Sequence, residues 1–186
     1  IVPISAAMDD ATRAATITDP ELTDANCMIY NIKPIREEKS LGDFRERLIE
    51  QYGCWMLNRR LADLLQKGKA PYQSASCGVG VWYNACTTVS AYAGGTPEQW
   101  KPMLVALLTE LKRACTHGFN PQELDDAKRA TIAGVEQSVR TEKTWDMRAW
   151  LGRYNSILSR KQLPMSETQR AHCLQQTLPF VTLDDV

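Results

Sequence analysis

The sequence predicts an α+β fold, a mainly antiparallel sheet with helices packed on one face, and three observations carry that prediction. Apolar residues alternate with small or polar ones in two neighbouring stretches, Ser74 to Val81 and Thr88 to Ala93. In several longer stretches they recur instead at spacings of three and four. The two alternating stretches are separated by a short turn and not by a helix, which makes them a hairpin and excludes a βαβ crossover. The predicted order is β-β-α-β-β-α-α-α.

Taken in order, Ala14 to Thr18 and Cys27 to Ile32 read as short strands, each closed by a proline, at Asp19-Pro20 and before Pro34. Leu41 to about Lys67 reads as a long helix, because Phe44, Leu48, Tyr52, Trp55, Leu57, Leu61 and Leu64 follow helical spacing and Gly68 is placed to end it. In the hairpin, Ala75, Cys77, Val79 and Val81 share one face, as do Val89, Ala91 and Ala93 after a turn near Tyr83-Asn84. Gly94-Gly95 is expected to break the second strand. Thr96-Pro97-Glu98-Gln99 then carries a cap, a first-position proline and a capping-box glutamine. The helix it starts has an apolar face of Trp100, Met103, Leu104, Leu107, Leu108, Leu111 and Cys115, and Gly118 terminates it. Asn120-Pro121-Gln122-Glu123 repeats the start signal, opening a very long helix that reaches Tyr154, with Gly134 as a place to bend. Ser166-Glu167-Thr168-Gln169 opens a last short helix, stopped by Pro179. Three principal helices are expected.

The 186 residues suit one domain spanning 1–186, with its core over about 12–178. Val2-Pro3-Ile4-Ser5 reads as an interdomain linker. Thr182 with Asp185 reads as the cap of a helix that then stops, so the chain is expected to be a fragment of a longer multi-domain protein. Hydrophobic residues make up 44%, charged residues 24%, and the formal net charge is zero. That balance speaks against a nucleic-acid partner and against an anionic membrane surface. No apolar run approaches the ~20 residues that span a bilayer.

Candidate chemistry is sparse. Six cysteines, at 27, 54, 77, 86, 115 and 173, form no C-x-x-C pair, and Cys77 and Cys115 fall on core-facing positions, so mostly buried free thiols are expected. A two-residue turn at Tyr83-Asn84 would pair Cys86 with Val81 and keep it from Cys77. His117 stands at a helix end, where it can satisfy terminal carbonyls, and His172-Cys173 are adjacent helical residues that point apart. Glu136 and Glu142 read as a solvated face. Arg140, Lys143, Arg148 and Arg153 read as an ordinary basic surface. Gly78-Val79-Gly80 lies inside a strand and precedes no helix, which excludes a phosphate loop. Neither H-E-x-x-H nor H-x-x-E-H occurs, and no G-x-S-x-G elbow.

Several phrases nevertheless stand in a recognisable order. They are Thr18-Asp19-Pro20-Glu21, Met56-Leu57-Asn58-Arg59-Arg60-Leu61, Pro71-Tyr72-Gln73-Ser74-Ala75, Leu107-Leu108-Thr109-Glu110-Leu111, His117-Gly118-Phe119 and Glu123-Leu124-Asp125-Asp126-Ala127-Lys128. Together, over residues 12–186, they resemble the second, non-catalytic domain of bacterial insulinase/pitrilysin-family zinc peptidases. The resemblance implies a fold of the mitochondrial-processing-peptidase type, repeated in two halves that close around a peptide. It implies a catalytic zinc in another copy, held by H-x-x-E-H and a distal Glu, whose motif Glu acts as general base on the metal-bound water. No residue here can take those roles, so the chain is expected to have no catalytic and no metal residues, and no cofactor of its own.

The same resemblance points to one candidate substrate-binding residue, Tyr72. In the substrate-contacting half of such peptidases an Arg at the end of the long helix precedes a Tyr by seven residues, and the pair holds the peptide. Here the Arg position is Leu65, which also continues the helix's apolar face, and Tyr72 after Pro71 equally suits an aromatic covering the core. The implied partners are other domains of the same polypeptide and, for the parent, a peptide substrate. Two functions follow from the resemblance: a supporting domain of an active metalloendopeptidase, lining its peptide chamber, or a domain of a non-proteolytic binding or assembly subunit. The bacterial periplasm is the compartment suggested by the resemblance, with the cytoplasm as the alternative.

Overall fold

A computed structural model describes residues 11–82 and 85–186. They form two compact units. The first comprises residues up to Pro34 together with Leu57–His117, and the second Ile35–Met56 with Gly118–Val186.

The first unit is built on three strands, β1 (Ala25–Pro34), β2 (Ser74–Trp82) and β3 (Cys86–Gly95), ordered β1-β3-β2 and antiparallel throughout. The α+β class with an antiparallel sheet is as the alternation predicts. Ala14–Thr18 forms no strand; a strand needs a ladder partner for its backbone groups, and periodicity cannot supply one. β1 is longer than expected and takes in Pro34. It lies at the sheet edge, where the missing N–H of proline deprives no neighbour of a bond. β3 runs through Gly94 and Gly95 instead of breaking there, with Gly94 opposite both Asn26 and Ser74. A Cβ on Gly94 would run into the Tyr92 hydroxyl, which is itself bonded to Asn26 Oδ1 at 2.8 Å, so a larger residue there would displace that pair.

The hairpin register places Cys86 opposite Trp82, and not opposite Val81 as a two-residue turn would require. The expected turn residues Tyr83 and Asn84 lie outside the described residues. The Ala85 amide bonds to the Trp82 carbonyl at 2.8 Å, consistent with a connection one residue longer. Cys77 pairs with Ala91, well along the ladder from Cys86. None of the six cysteines is in a disulfide, but against the expectation of mostly buried thiols only Cys86 is buried. Cys115, expected in the core, is exposed near the end of its helix.

Helix α1 (Leu41–Gln66) ends as its sequence predicts. Gly68 takes φ +64°, its N–H bonds Leu65 O at 3.0 Å, and the Lys69 N–H bonds Leu64 O at 3.0 Å, which is a Schellman cap. Leu57 and Leu61 of α1 and Met103 and Leu107 of α2 (Trp100–His117) are buried in this unit together with Ala91 and Ala93 of β3. The core stripe of α2 is narrower than predicted, since Trp100 and Leu108 are about half exposed. Pro97–Gln99 forms a 3₁₀ turn ahead of α2, and Thr96 makes no side-chain cap.

The second unit gathers the first part of α1 with α3 (Pro121–Thr141), α4 (Met147–Ser159) and α5 (Glu167–Thr177). Phe44, Leu48, Tyr52 and Met56 meet Leu124, Ala127, Val135, Leu174, Leu178 and Val181 in one core. Each such side chain contributes roughly 1.5–3 kcal/mol when fully buried. The capping boxes Asn120/Glu123 and Ser166/Gln169 both form. The single long helix expected from Pro121 to Tyr154 is two helices, which raises the total among the described residues to five. Gly134 stays helical; the break falls at Trp145, whose ψ is 132°, and Asp146 caps the new start by accepting from the Ala149 amide at 2.8 Å. A carboxylate that can bond the amide three residues on competes with continuing the helix. Thr182 and Asp185 form the expected capping pair, over a 3₁₀ turn.

Candidate functional site

Tyr72 lies between the α1 cap and the start of β2, just after Pro71. It is 3% exposed, and its hydroxyl donates to the Leu61 carbonyl at 2.9 Å. Burial raises the Tyr72 pKa above its ordinary value, and the nearby negative charge of Glu110 raises it further. Both effects keep the phenol protonated and donating. Leu65 is 40% exposed, outside the buried stripe that holds Leu61. The structure thus gives the Tyr72 hydroxyl a partner within its own unit and leaves Leu65 at the surface.

Glu110 is the neighbour that the pattern of α2 conceals. It stands three residues after Leu107 on the buried stripe, is 6% exposed, and lies 3.7 Å from Arg113. Its Oε2 has no hydrogen-bond partner among the described residues. The spacing could have marked the position as inward, although a glutamate there reads as an interruption of an apolar face.

Asn58 is likewise silent in the sequence beyond its place in a family phrase. Its Nδ2 donates to Cys77 O at 2.8 Å, and its Oδ1 accepts from the Cys77 amide at 2.5 Å. β2 is an edge strand, so one side-chain amide closes a backbone pair that could otherwise recruit a foreign strand.

The opposite face of the sheet is different. Met28, Tyr30, Ile32 and Trp82 share a face by register and are 40–54% exposed. The Tyr30 and Trp82 rings meet edge to face, 5.4 Å apart. Gly78 and Gly80 on the same face present no side chains, which leaves room for the rings. Large apolar groups held in water by a rigid sheet are suited to contact with another polypeptide.

Among the described residues no three His, Cys, Asp or Glu side chains come together to hold a metal ion. His117 and His172 are both exposed, on α2 and α5. No helix among them is long and apolar enough to cross a membrane.

Comparison with known proteins bears on these features. Residues 15–131 match the family model described as the peptidase M16 inactive domain. No curated protein matches the chain. Among solved structures, the first half of the periplasmic protease PqqL from Escherichia coli is similar with a TM-score of 0.78 and 17% identity, over 88% of this chain and 35% of that one. The whole PqqL protein gives a TM-score of 0.79 at 17% identity, over 89% of this chain and 18% of that one. A predicted insulinase family protease from Yersinia pestis gives 0.78 at 12% identity, over 90% and 36%. The ferredoxin protease FusC, solved as a point mutant in complex with Arabidopsis ferredoxin, gives 0.59 at 13% identity, over 88% and 18%. The chain therefore spans about a third or less of each relative, and the likeness concerns the fold.

Proposed function

The chain belongs to the peptidase M16 inactive-domain family, and from that membership we propose that it supports a catalytic domain elsewhere in its parent protein and walls part of the chamber that receives peptides. It is a non-catalytic domain of the insulinase-family type. The observation that carries the chamber reading is the exposed face of Met28, Tyr30, Ile32 and Trp82 on the three-stranded sheet. Such a face can pack on apolar peptide side chains without selecting a sequence. Zinc, on this reading, belongs to another domain of the parent, and the partners of this chain are those domains and the peptide. Periplasmic location is supported by the likeness to PqqL, itself a periplasmic protease. That FusC was captured with ferredoxin supports small proteins as well as peptides as substrates for the parent. Tyr72 serves in this copy to support the domain and does not clamp substrate, a reading supported by its bond to Leu61.

The test uses the full-length parent. Replacing Tyr30 and Trp82 together by Ala should raise KM for an unstructured peptide several-fold while kcat stays within about twofold, the mark of lost uniform binding. An unchanged KM with folding intact would remove the chamber role.

A further inference from the structure

A cleft of about 120 Å³ opens in the second unit, and four arginines, Arg47, Arg153, Arg160 and Arg170, share its wall with one carboxylate, Glu38. Arg47 comes from α1, Arg153 from the middle of α4, Arg160 from the cap that follows α4, and Arg170 from α5, all within that unit. Glu38, 7% exposed, accepts from Arg47 Nε at 2.6 Å. Glu167, 1% exposed, pairs with Arg153 and lies 3.3 Å from Arg170. Glu38 and Glu167 thus face four guanidinium groups, with the Glu142 carboxylate beside them, bonded to the Glu167 amide, so one guanidinium charge is in excess. Arg160 has no side-chain partner among the described residues.

Each guanidinium offers five N–H donors in a rigid fork and accepts none, so one carboxylate contact leaves donors free to point elsewhere. Like charges on a concave, partly desolvated wall repel more strongly than on open surface. An anion seated among them turns that repulsion into charge-assisted hydrogen bonds. We propose that this cleft binds a small oxyanion, a carboxylate or phosphate group, through Arg160 with Arg153 and Arg170. Glu38 opposes an anion at the Arg47 end, which puts the strongest pull on the side of those three. The cleft is smaller than sites for whole drug-sized ligands, so it takes one anionic group and not a complete cofactor. That group arrives either on a peptide, as an acidic side chain or C-terminus, or as free phosphate.

The experiment follows the arginine Nε–Hε signals of the whole 186-residue chain by NMR while inorganic phosphate is added at fixed ionic strength. The expected result is saturable shifts at Arg153, Arg160 and Arg170, with the exposed ion-paired Arg36 and Arg129 unmoved. Arg160→Ala should weaken binding by about tenfold or more, the loss of one charged hydrogen-bonding group. Thermal unfolding of Arg160→Ala should match the parent, because that side chain has no intramolecular partner to lose among the described residues. Displacement of phosphate by a peptide with a free C-terminus but not by its amide assigns the site to peptides. Displacement by neither assigns it to phosphate, and both outcomes uphold the site. Linear shifts of all arginines alike, or unchanged affinity in Arg160→Ala, would overturn it.

Discussion

The Tyr72 hydroxyl donates a 2.9 Å hydrogen bond to the carbonyl of Leu61, tying the entry of β2 to the last turns of α1. The bond spends the one polar side-chain atom of Tyr72 inside the unit. Tyr72→Phe should therefore cost about 1 kcal/mol of stability, the net worth of one buried hydrogen bond. In the full-length parent, on the proposed reading that it cleaves peptides, the same change should leave turnover within about threefold, under ~1 kcal/mol of transition-state stabilisation. Denaturant unfolding and peptide turnover check the two halves. A hundredfold loss of turnover in a folded variant would place Tyr72 in the active chamber.

Asn58 closes both backbone groups of Cys77 on the edge strand. Asn58→Ala should lower stability by roughly 1–3 kcal/mol, since two hydrogen bonds go and the Cys77 groups are left partly buried. The variant should also self-associate more readily on warming, because an edge has been opened. Light scattering alongside calorimetry measures both.

Glu167 is buried against Arg153 and Arg170, and its amide donates to Glu142 Oε1 at 2.9 Å. Glu167→Ala should lose about 2–3 kcal/mol, because two partly buried arginines are left facing each other. Glu167→Gln should lose less, as it keeps the shape and one acceptor. Equal losses would mean that charge and not packing decides.

Asp185 accepts from the Thr182 amide at 2.7 Å and pairs with Arg45 at 2.6 Å. These contacts, the Thr182 backbone bond first, lower its pKa from 3.8 to about 2. A carboxyl whose folded pKa is depressed stabilises the fold above its unfolded pKa and loses that contribution as pH falls through the folded value. The loss attributable to Asp185 should fall between pH 3.8 and about 2. Asp185→Asn should flatten the acid limb of stability in that window and leave the limb above it parallel to the parent.

We propose that residues 1–186 behave as one domain, since α1 is an uninterrupted helix whose residues to Met56 belong to one unit and from Leu57 to the other. Heating should give one transition with equal calorimetric and van't Hoff enthalpies. Two resolved transitions would divide the chain into two domains.

Some features are legible because they are local. The Gly68 cap, the boxes at Asn120 and Ser166 and the alternation of the hairpin each depend on neighbours within a few residues, so short-range chemistry suffices to dictate them. The absent H-x-x-E-H motif and the ordered phrases from Thr18 to Lys128 likewise carried the non-catalytic reading without any coordinates. Other features belong to the tertiary structure because their causes are distant in sequence. Whether Ala14–Thr18 becomes a strand depends on finding a ladder partner. Glu38 and Glu167 look like surface charges in one dimension and are buried in three. Arg153, read as ordinary basic surface, pairs with one of them. The physical reason is common to these charges: a charged side chain can be buried only where the fold delivers a countercharge or a donor, and here Arg47 meets Glu38 while Arg153 and Arg170 meet Glu167 through packing that no local spacing encodes.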